Sequence, residues 1–242
     1  MTKSNCIITC EFDMTEYARL FTYEAMSDTT CAVTGYVGSK TASLLIPAVD
    51  PEGRIVVAIG ERAFANRSYL RAVTLPDSVE TVGRRAFAFC AGLLDIRVSP
   101  ESRLSAIGDR AFMGCERLTV LRFGRLSELT SLGRSAFAYC TRLRSVVLPE
   151  GMTELAPSLF DGCSALEHIH LPETLTAIRT AAFSACKSLR VLTLPASLRV
   201  IEDCAFAWCG HLTDLRLPES PCVISGSAFM ECYALADVLK VG

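Results

Sequence analysis

Two of the three histidines in this chain stand two residues apart, at His168 and His170. On an extended strand, residues at this spacing point to the same side, so the two imidazoles could bind one metal ion or change charge near pH 6.5. A metal site needs further ligands, and the one nearby carboxylate, Glu167, falls on the other side of such a strand. We therefore favour exposed polar residues or partner contacts over a metal site, and the sequence predicts no cofactor.

Twelve cysteines form the second group of reactive side chains, and seven of them occupy one repeating position. These seven are Cys90, Cys115, Cys140, Cys163, Cys186, Cys209 and Cys232. No two cysteines have the Cys-x-x-Cys spacing that is common in zinc sites. A buried column of free thiols is the favoured interpretation, and disulfides between neighbouring members of the column are the alternative.

Sequence motifs of enzymes are absent from the chain. There is no phosphate-binding glycine loop, no G-x-G-x-x-G, no H-E-x-x-H and no nucleophile elbow around Ser225-Gly226-Ser227. The sequence therefore predicts a protein that is not an enzyme.

Charge and hydropathy argue against two classes of partner. The 242 residues include 24 basic and 26 acidic side chains, with a net charge of −2, which predicts no nucleic-acid partner. No uninterrupted apolar run reaches the roughly 18 residues of a membrane span. Residues 1–10 lack the apolar stretch of a signal peptide, which predicts a cytoplasmic protein, or an exported one if a leader has been removed.

The elements that must position these side chains belong to a repeat marked by phenylalanine. The repeating phenylalanines stand 23 or 25 residues apart, at Phe64, Phe87, Phe112, Phe137, Phe160, Phe183, Phe206 and Phe229. A constant period in the twenties is typical of a solenoid, in which each unit stacks on its neighbours. We therefore expect functional residues on exposed columns of the stack.

Each repeat predicts a strand, a turn, a second extended piece and a short helix. In one unit, Ile169 and Leu171 have the two-residue spacing of a strand buried on one face, and Pro172 ends the strand because proline has no N–H. The alanine, phenylalanine and cysteine that follow are spaced as on one side of a helix. Because no unit can bury its apolar face alone, we predict an α/β leucine-rich-repeat solenoid of about eight 23–25-residue units, with parallel strands on one face and short helices opposite.

These units resemble the BspA-like, or treponemal-type, leucine-rich-repeat family. The resemblance is carried by units such as residues 104–118, LSAIGDRAFMGCERL, and by residues 30–38, which are similar to the segment that precedes the repeats in that family. It implies a protein-interaction module of a kind often found on surfaces of bacteria and some protists, where such proteins are linked to adhesion and host-protein binding. One glycine position is replaced in later units, so we expect no requirement for a left-handed backbone there. The glycines are Gly60, Gly83, Gly108 and Gly133, and their replacements are Ala156, Arg179, Glu202 and Ser225.

We expect two segments along the chain. Residues 1–58 are predicted to form an N-terminal β-rich cap, with strand candidates at 6–12 and 20–23, and residues 59–242 one continuous solenoid. The last unit has no polar cap after it, so its apolar residues predict a homo-oligomer formed through this edge. Those residues are Val238, Leu239 and Val241. This edge supports an alternative function as a cytoplasmic scaffold or assembly subunit.

Alternation along the strands places a further set of side chains outward, on a predicted partner-binding face. These residues are Arg97, Val120, Arg122, Val147, His168, His170 and Val191. Their mixture of apolar, cationic and imidazole groups is typical of a protein interface, so we predict a protein partner there. On the opposite side, Glu61, Arg84, Asp109 and Arg134 alternate in sign, which predicts weak ion pairs between neighbouring units.

Overall fold

Successive repeats of the chain stack into a solenoid, as the sequence predicts. In this computed structural model, the described residues are 13–123, 128–218 and 220–235. The strand candidate at 6–12 and the self-association residues Val238, Leu239 and Val241 lie outside them. Within the described part, the repeats alternate a three-residue strand with a two-residue strand. The prediction of a leucine-rich-repeat solenoid of about eight turns is confirmed.

The repeats follow a short β-rich region. It consists of α1 (Met14–Ala18), β1 (Phe21–Ala25), β2 (Thr30–Tyr36), β3 (Ser43–Leu45) and β4 (Ile55–Ile59). Strands β1 and β2 pair antiparallel, and β2 then pairs in parallel with β4. Strands β3 and β4 in turn pair with strands of the first repeat, so hydrogen-bonded sheets continue across residue 58.

Two strand-bearing faces run along the solenoid. The strand face consists of β3 and the three-residue strands β5 (Ala72–Thr74), β7 (Asp95–Arg97), β9 (Val120–Arg122), β11 (Ser145–Val147), β13 (His168–His170), β15 (Val191–Thr193) and β17 (Asp214–Arg216). The return face consists of β4 and the two-residue strands β6 (Thr81–Val82), β8 (Ala106–Ile107), β10 (Ser131–Leu132), β12 (Glu154–Leu155), β14 (Ala177–Ile178), β16 (Val200–Ile201) and β18 (Val223–Ile224). The pairings within both faces are parallel, and a 3₁₀ helix at Tyr233–Leu235 follows the last described strand.

A column of stacked phenylalanine rings forms the centre of the core. From Phe64 to Phe229, neighbouring ring centroids are separated by between 5.1 Å and 6.0 Å, close to the spacing of neighbouring strands. Phe137 and Phe160 are fully buried, as predicted. Each repeat therefore completes the core of the next one.

The segment around each phenylalanine is a run of turns, although the sequence predicted a short helix there. The N–H groups of Arg62, Phe64 and Asn66 donate to carbonyls of the next repeat at 3.0, 2.8 and 2.8 Å. The N–H groups between them, on Ala63 and Ala65, close turns within their own repeat. An α-helix would use these N–H groups internally and would leave none to join the repeats. The expectation of helices is therefore wrong, because about half of the N–H groups in this segment donate to the next repeat.

In seven repeats, two residues adopt a left-handed backbone to form these turns, and the last described repeat has one, Glu231. The pairs are Arg62 and Asn66, Arg85 and Phe89, Arg110 and Gly114, Ser135 and Tyr139, Ser158 and Gly162, Ala181 and Ala185, and Cys204 and Trp208, with φ between +55° and +73°. The glycine position that larger residues occupy in later repeats is neither of these two left-handed positions. This agrees with its tolerance of larger residues. Asparagine and glycine adopt positive φ readily, whereas bulky aromatic residues rarely do. Phe89, Tyr139 and Trp208 therefore hold a conformation that the stack imposes.

The cysteine column is buried and its thiols are free, which confirms the favoured interpretation. Each thiol donates to the phenylalanine carbonyl of an earlier repeat, as Cys140 Sγ does to the Phe112 oxygen at 3.4 Å. Burial raises the pKa of Cys90 to about 11 and that of Cys140 to about 12. The position suits cysteine because it is small and apolar, yet still carries a donor for a buried carbonyl.

Replacement of a core phenylalanine should strongly destabilise the fold. We expect Phe137→Ala to lower the free energy of unfolding by about 3–5 kcal/mol, because it leaves a cavity inside a continuous ring stack. The matched control is Tyr139→Asn in the same turn, where the side chain is half exposed and the first repeat has Asn66 in the same conformation. The control should stay within about 1 kcal/mol of wild type in equilibrium denaturant unfolding. A loss below about 1 kcal/mol for Phe137→Ala would contradict the ring stack.

The thiol column should make the protein less stable at alkaline pH. Unfolded thiols ionise near pH 8.5, whereas the folded pKa of Cys140 is about 12, so the native state retains more protons between these values. The contribution of the buried thiols to the free energy of unfolding is fully present below pH 8.5. It is lost as the pH rises, by roughly 1.4 kcal/mol per pH unit for each thiol. Urea unfolding under reducing conditions from pH 8 to 11 should show a shallower loss for Cys140→Ala. Equal slopes for both proteins would refute this assignment.

Candidate protein-interaction surface

The strand face presents most of the predicted partner-binding residues to solvent. The middle residue of each strand points inward, and Leu121, Val146 and Leu192 are buried. The residues on either side of these therefore point outward. Arg97, Val120, Arg122, His168, His170 and Val191 are exposed, and Val147 is partly exposed.

Strand register brings five of these residues together on one sheet. Across β9, β11 and β13, Val120 lies level with Ser145 and His168, and Arg122 with Val147 and His170. Arg97 lies on the preceding sheet, β3-β5-β7, and Val191 on the following sheet, β15-β17. The structure therefore does not place Arg97 and Arg122 on paired strands, although they belong to consecutive repeats.

The charged groups on this face differ in how far they are already paired. Arg97 forms an ion pair with Asp95 of its own strand at 2.7 Å. His170 Nε2 lies 3.3 Å from a carboxylate oxygen of Glu150. Arg122 has no ion-pair partner among the described residues. Its guanidinium is therefore the cation on this sheet most open to an incoming carboxylate.

Paired junctions on the strand face share one hydrogen-bond pattern. Between β9 and β11, the N–H groups of Arg144 and Ser145 both donate to the Thr119 carbonyl, and Phe123 N–H donates to the Val147 carbonyl. The equivalent three bonds join β3 to β5, β5 to β7, β11 to β13 and β15 to β17. We call a junction between two strands that has these three bonds a closed junction.

Two junctions lack this pattern, and we call them the first seam (between β7 and β9) and the second seam (between β13 and β15). At the first seam, Thr119 and Val120 do not donate to the Leu94 carbonyl, and Val98 does not donate to Arg122. The homologous bonds of the second seam, from Arg190 and Val191 and from Leu171, are also missing from the described structure. The strand face is therefore interrupted twice.

Each seam contains a hollow that is open to solvent. The first hollow has a volume of about 280 Å³ and is lined by Leu94, Asp95, Ile96 and Val98 on one side and by Thr119–Phe123 on the other. The second has a volume of about 310 Å³ and is lined by Glu167, His168, Ser188, Arg190 and Val191. Four of the seven predicted partner-binding residues line one of the two hollows: Val120, Arg122, His168 and Val191.

The solenoid stays closed behind both seams. Behind the first, Phe87 N–H donates to the Ala111 carbonyl at 2.8 Å, and the rings of Phe87 and Phe112 lie 5.2 Å apart. Behind the second, Phe160 and Phe183 remain stacked at 5.7 Å. The return strands β8–β10 and β14–β16 are also paired. Each hollow is therefore a preformed feature with a closed back.

The opposite side of the molecule carries charges that satisfy one another. Glu61 and Arg84 form the predicted ion pair at 2.7 Å, and this bond lowers the pKa of Glu61. Asp109 instead accepts the backbone N–H of Arg134 at 2.8 Å. Sequence analysis missed a further pairing at the replaced glycine position, where Arg179 meets Glu202 at 2.8 Å. These contacts join neighbouring repeats.

The described residues provide no metal centre. They contain no group of three or more histidine, cysteine or carboxylate side chains placed to hold a metal ion. His168 and His170 point outward from one strand, with Glu150 beside His170. Their placement fits contact residues of a surface.

Sequence reasoning missed the seams and an exposed aromatic column. Phe89, Tyr139 and Trp208 are about half exposed, at the second left-handed position of their turns. Phe89 lies against Gly114, where an added Cβ would come within 2.7 Å of the ring, and Tyr139 lies against Gly162 in the same way. In the sequence, the glycine that follows Phe89 and Tyr139 by one repeat is the signal that could have revealed these exposed rings.

Comparison with known proteins agrees with this architecture. The pattern of the BspA type leucine-rich-repeat region matches the chain in six copies, over residues 53–167 and 106–236. The chain therefore belongs to the BspA-type leucine-rich-repeat family, whose members are interaction modules. No curated protein matches it in sequence.

Solved structures of similar proteins extend the comparison. The leucine-rich-repeat protein TpLRR of T. pallidum is 28% identical with a TM-score of 0.72, over 92% of this chain and 91% of that one. A leucine-rich-repeat protein from Bacteroides ovatus is 29% identical with a TM-score of 0.74, over 83% of this chain and 52% of that one. The chain thus spans about half the length of the B. ovatus protein. A leucine-rich cell surface protein from Faecalibacterium prausnitzii shares the fold at 23% identity, with a TM-score of 0.64 over 89% of this chain and 85% of that one.

Among the described residues, no helix has the length and apolar character needed to cross a membrane. The longest described helix is α1, with five residues.

Hydrogen exchange should reveal the seams in solution. We expect the amides of Val120 and Val191 to exchange at least about tenfold faster than those of His168 and Asp214, because the latter donate across closed junctions at 3.0 and 3.1 Å. Residue-resolved exchange by NMR would measure this difference. Equal protection at the four homologous amides would show that the seams are closed in solution.

Proposed function

We propose that this chain is a non-enzymatic protein-interaction module that binds its partner through the strand face. The observation that supports it is the mixed surface of β9, β11 and β13, where a free guanidinium, exposed apolar groups and imidazoles lie on consecutive repeats. Such a mixture is typical of the centre of a protein interface. On the opposite side, by contrast, Arg84 and Arg179 are already paired with carboxylates of neighbouring repeats.

We further propose that the partner is a surface or matrix protein and that the chain acts in adhesion. The support is the family relationship, whose members are interaction modules, together with the open hollows on the outward face. Export of the chain is part of this proposal. Cytoplasmic localisation is the alternative prediction.

A second candidate function is self-association as a scaffold or assembly subunit. It is favoured by the last described repeat, in which Val223 is 72% exposed and Ile224 is 37% exposed. The residues first predicted to mediate it lie outside the described part of the chain. Sedimentation velocity at micromolar concentration would test it, and a strict monomer would count against it.

Partner capture by matched variants tests the main proposal. The chain would be immobilised and incubated with an extracellular-matrix extract and, separately, with cytosolic lysate, and retained proteins would be quantified by mass spectrometry. We expect Arg122→Ala combined with His170→Ala to weaken retention of a specific partner more than tenfold, because both side chains are exposed on the strand face. The melting temperature should be unchanged, since neither side chain is buried.

The control is Arg84→Ala combined with Arg134→Ala, two arginines on the opposite side. This variant should retain the partner at the wild-type level. If both double variants bind alike, or if only the control loses the partner, the strand face is not the interface. Retention from the lysate alone would favour the scaffold function over adhesion.

A further inference from the structure

We propose that the first seam binds an extended polypeptide segment with an acidic group, which pairs through its backbone with the open edges of β7 and β9. This proposal rests on the proposed protein-binding function and names the chemistry of the segment that enters the site. It concerns the hollow between Leu94–Val98 and Thr119–Phe123.

The two walls of the first seam have unused backbone hydrogen-bonding capacity. Closed junctions on this face carry three crossing bonds, and the first seam carries none of their equivalents. The N–H groups of Val98, Thr119 and Val120 therefore lack the partners that their homologues have. Open strand edges of this kind pair readily with another extended chain.

The hollow of the first seam is already formed in the free chain. The turns and return strands behind it stay bonded, and the Phe87 and Phe112 rings keep their 5.2 Å spacing. A segment can therefore bind without opening the core, which keeps the cost of binding low. Because an extended chain carries N–H and C=O groups along both edges, it can address both walls of the seam.

The side chains at the first seam favour a segment that carries a negative charge. Arg122 is exposed without an ion-pair partner among the described residues, whereas Arg97 on the facing strand is held by Asp95 at 2.7 Å. A carboxylate can form a bidentate pair with the free guanidinium. Val120 and the half-buried Ile96 and Val98 add apolar area beside it. The fitting occupant is therefore an extended segment with an acidic residue or its terminal carboxylate next to Arg122.

The second seam has a different character. Its lining includes Glu167, His168 and Arg190, so both signs of charge are present. The first seam also has an acidic lining residue, Asp95, but Arg97 holds this carboxylate in an ion pair at 2.7 Å, which leaves Arg122 as the lining charge without an ion-pair partner among the described residues. The second seam therefore offers no single complementary charge, and we assign the acidic segment to the first seam.

A library of random dodecapeptides displayed on phage provides the probe. Peptides would be selected on the wild-type chain and then measured by calorimetry as synthetic peptides against wild type and variants. We expect enrichment of peptides with an aspartate, glutamate or terminal carboxylate, and a loss of affinity of about tenfold or more with Arg122→Ala. Arg84→Ala, on the opposite side, should bind them as wild type does.

A proline substitution isolates the backbone contribution. Val120→Pro removes an N–H that crosses no junction in this structure, so the fold should tolerate it at this open edge. We expect it to weaken peptide binding about three- to tenfold beyond Val120→Ala, the size of one backbone hydrogen bond. Peptides methylated at single backbone nitrogens test the same contact without changing the protein, and alternate positions along the peptide should be sensitive.

Several results would overturn the proposal. These are a library without enriched peptides, selected peptides that ignore both Arg122→Ala and Val120→Pro, and a methylation scan without alternation. Under those results, retention of a protein partner can still be weakened by the Arg122→Ala and His170→Ala double variant. The strand face is then the interface, but no extended segment pairs with the edges of the first seam. If partner capture fails as well, the proposed function itself is wrong.

Discussion

The architecture depends on how the turns divide their backbone N–H groups. In each repeat, alternate donors close local turns, and the others reach the carbonyls of the next repeat, as Phe64 does to Ala86 at 2.8 Å. This division requires two left-handed residues four positions apart, such as Arg62 and Asn66. A helix in the same place would satisfy its own donors and would leave the repeats without a continuous ladder. The stacked phenylalanines and the cysteine thiols reinforce a spacing that the backbone already sets.

This arrangement explains how the strand face can open without loss of the fold. At both seams the turns remain bonded and the phenylalanine rings remain stacked. The strand face can therefore lose three hydrogen bonds locally while the core stays intact. The unused groups lie beside the residues that sequence patterning placed on the outward face. A rigid scaffold that positions an adaptable surface is a common arrangement for a binding protein.

Charge is distributed in a way that agrees with this division of roles. On the turn and return sides, Arg84 and Arg179 are bound to carboxylates of neighbouring repeats. Such exposed pairs contribute little stability individually. On the strand face, Arg122 has no such partner among the described residues. A carboxylate-bearing partner can therefore pair with Arg122 on the strand face.

The sequence by itself determined the repeat length, the stacked phenylalanines, the buried thiols and the outward side chains, because each follows from a local period that recurs along the chain. It also identified Arg122, Val147, His168 and His170 as neighbours, since parallel strands in register place equal positions side by side. Only the tertiary structure decided that the Phe137 segment is a turn, because the partner of an N–H group lies 20 or more residues away and no local pattern distinguishes it from a helical one. The seams likewise arise from the spacing of neighbouring repeats on the strand face, while the turns and return strands behind them stay bonded. That spacing depends on the packing of the strand face, the return face and the turns at once. The residue type at a single position such as Val120 therefore does not reveal it.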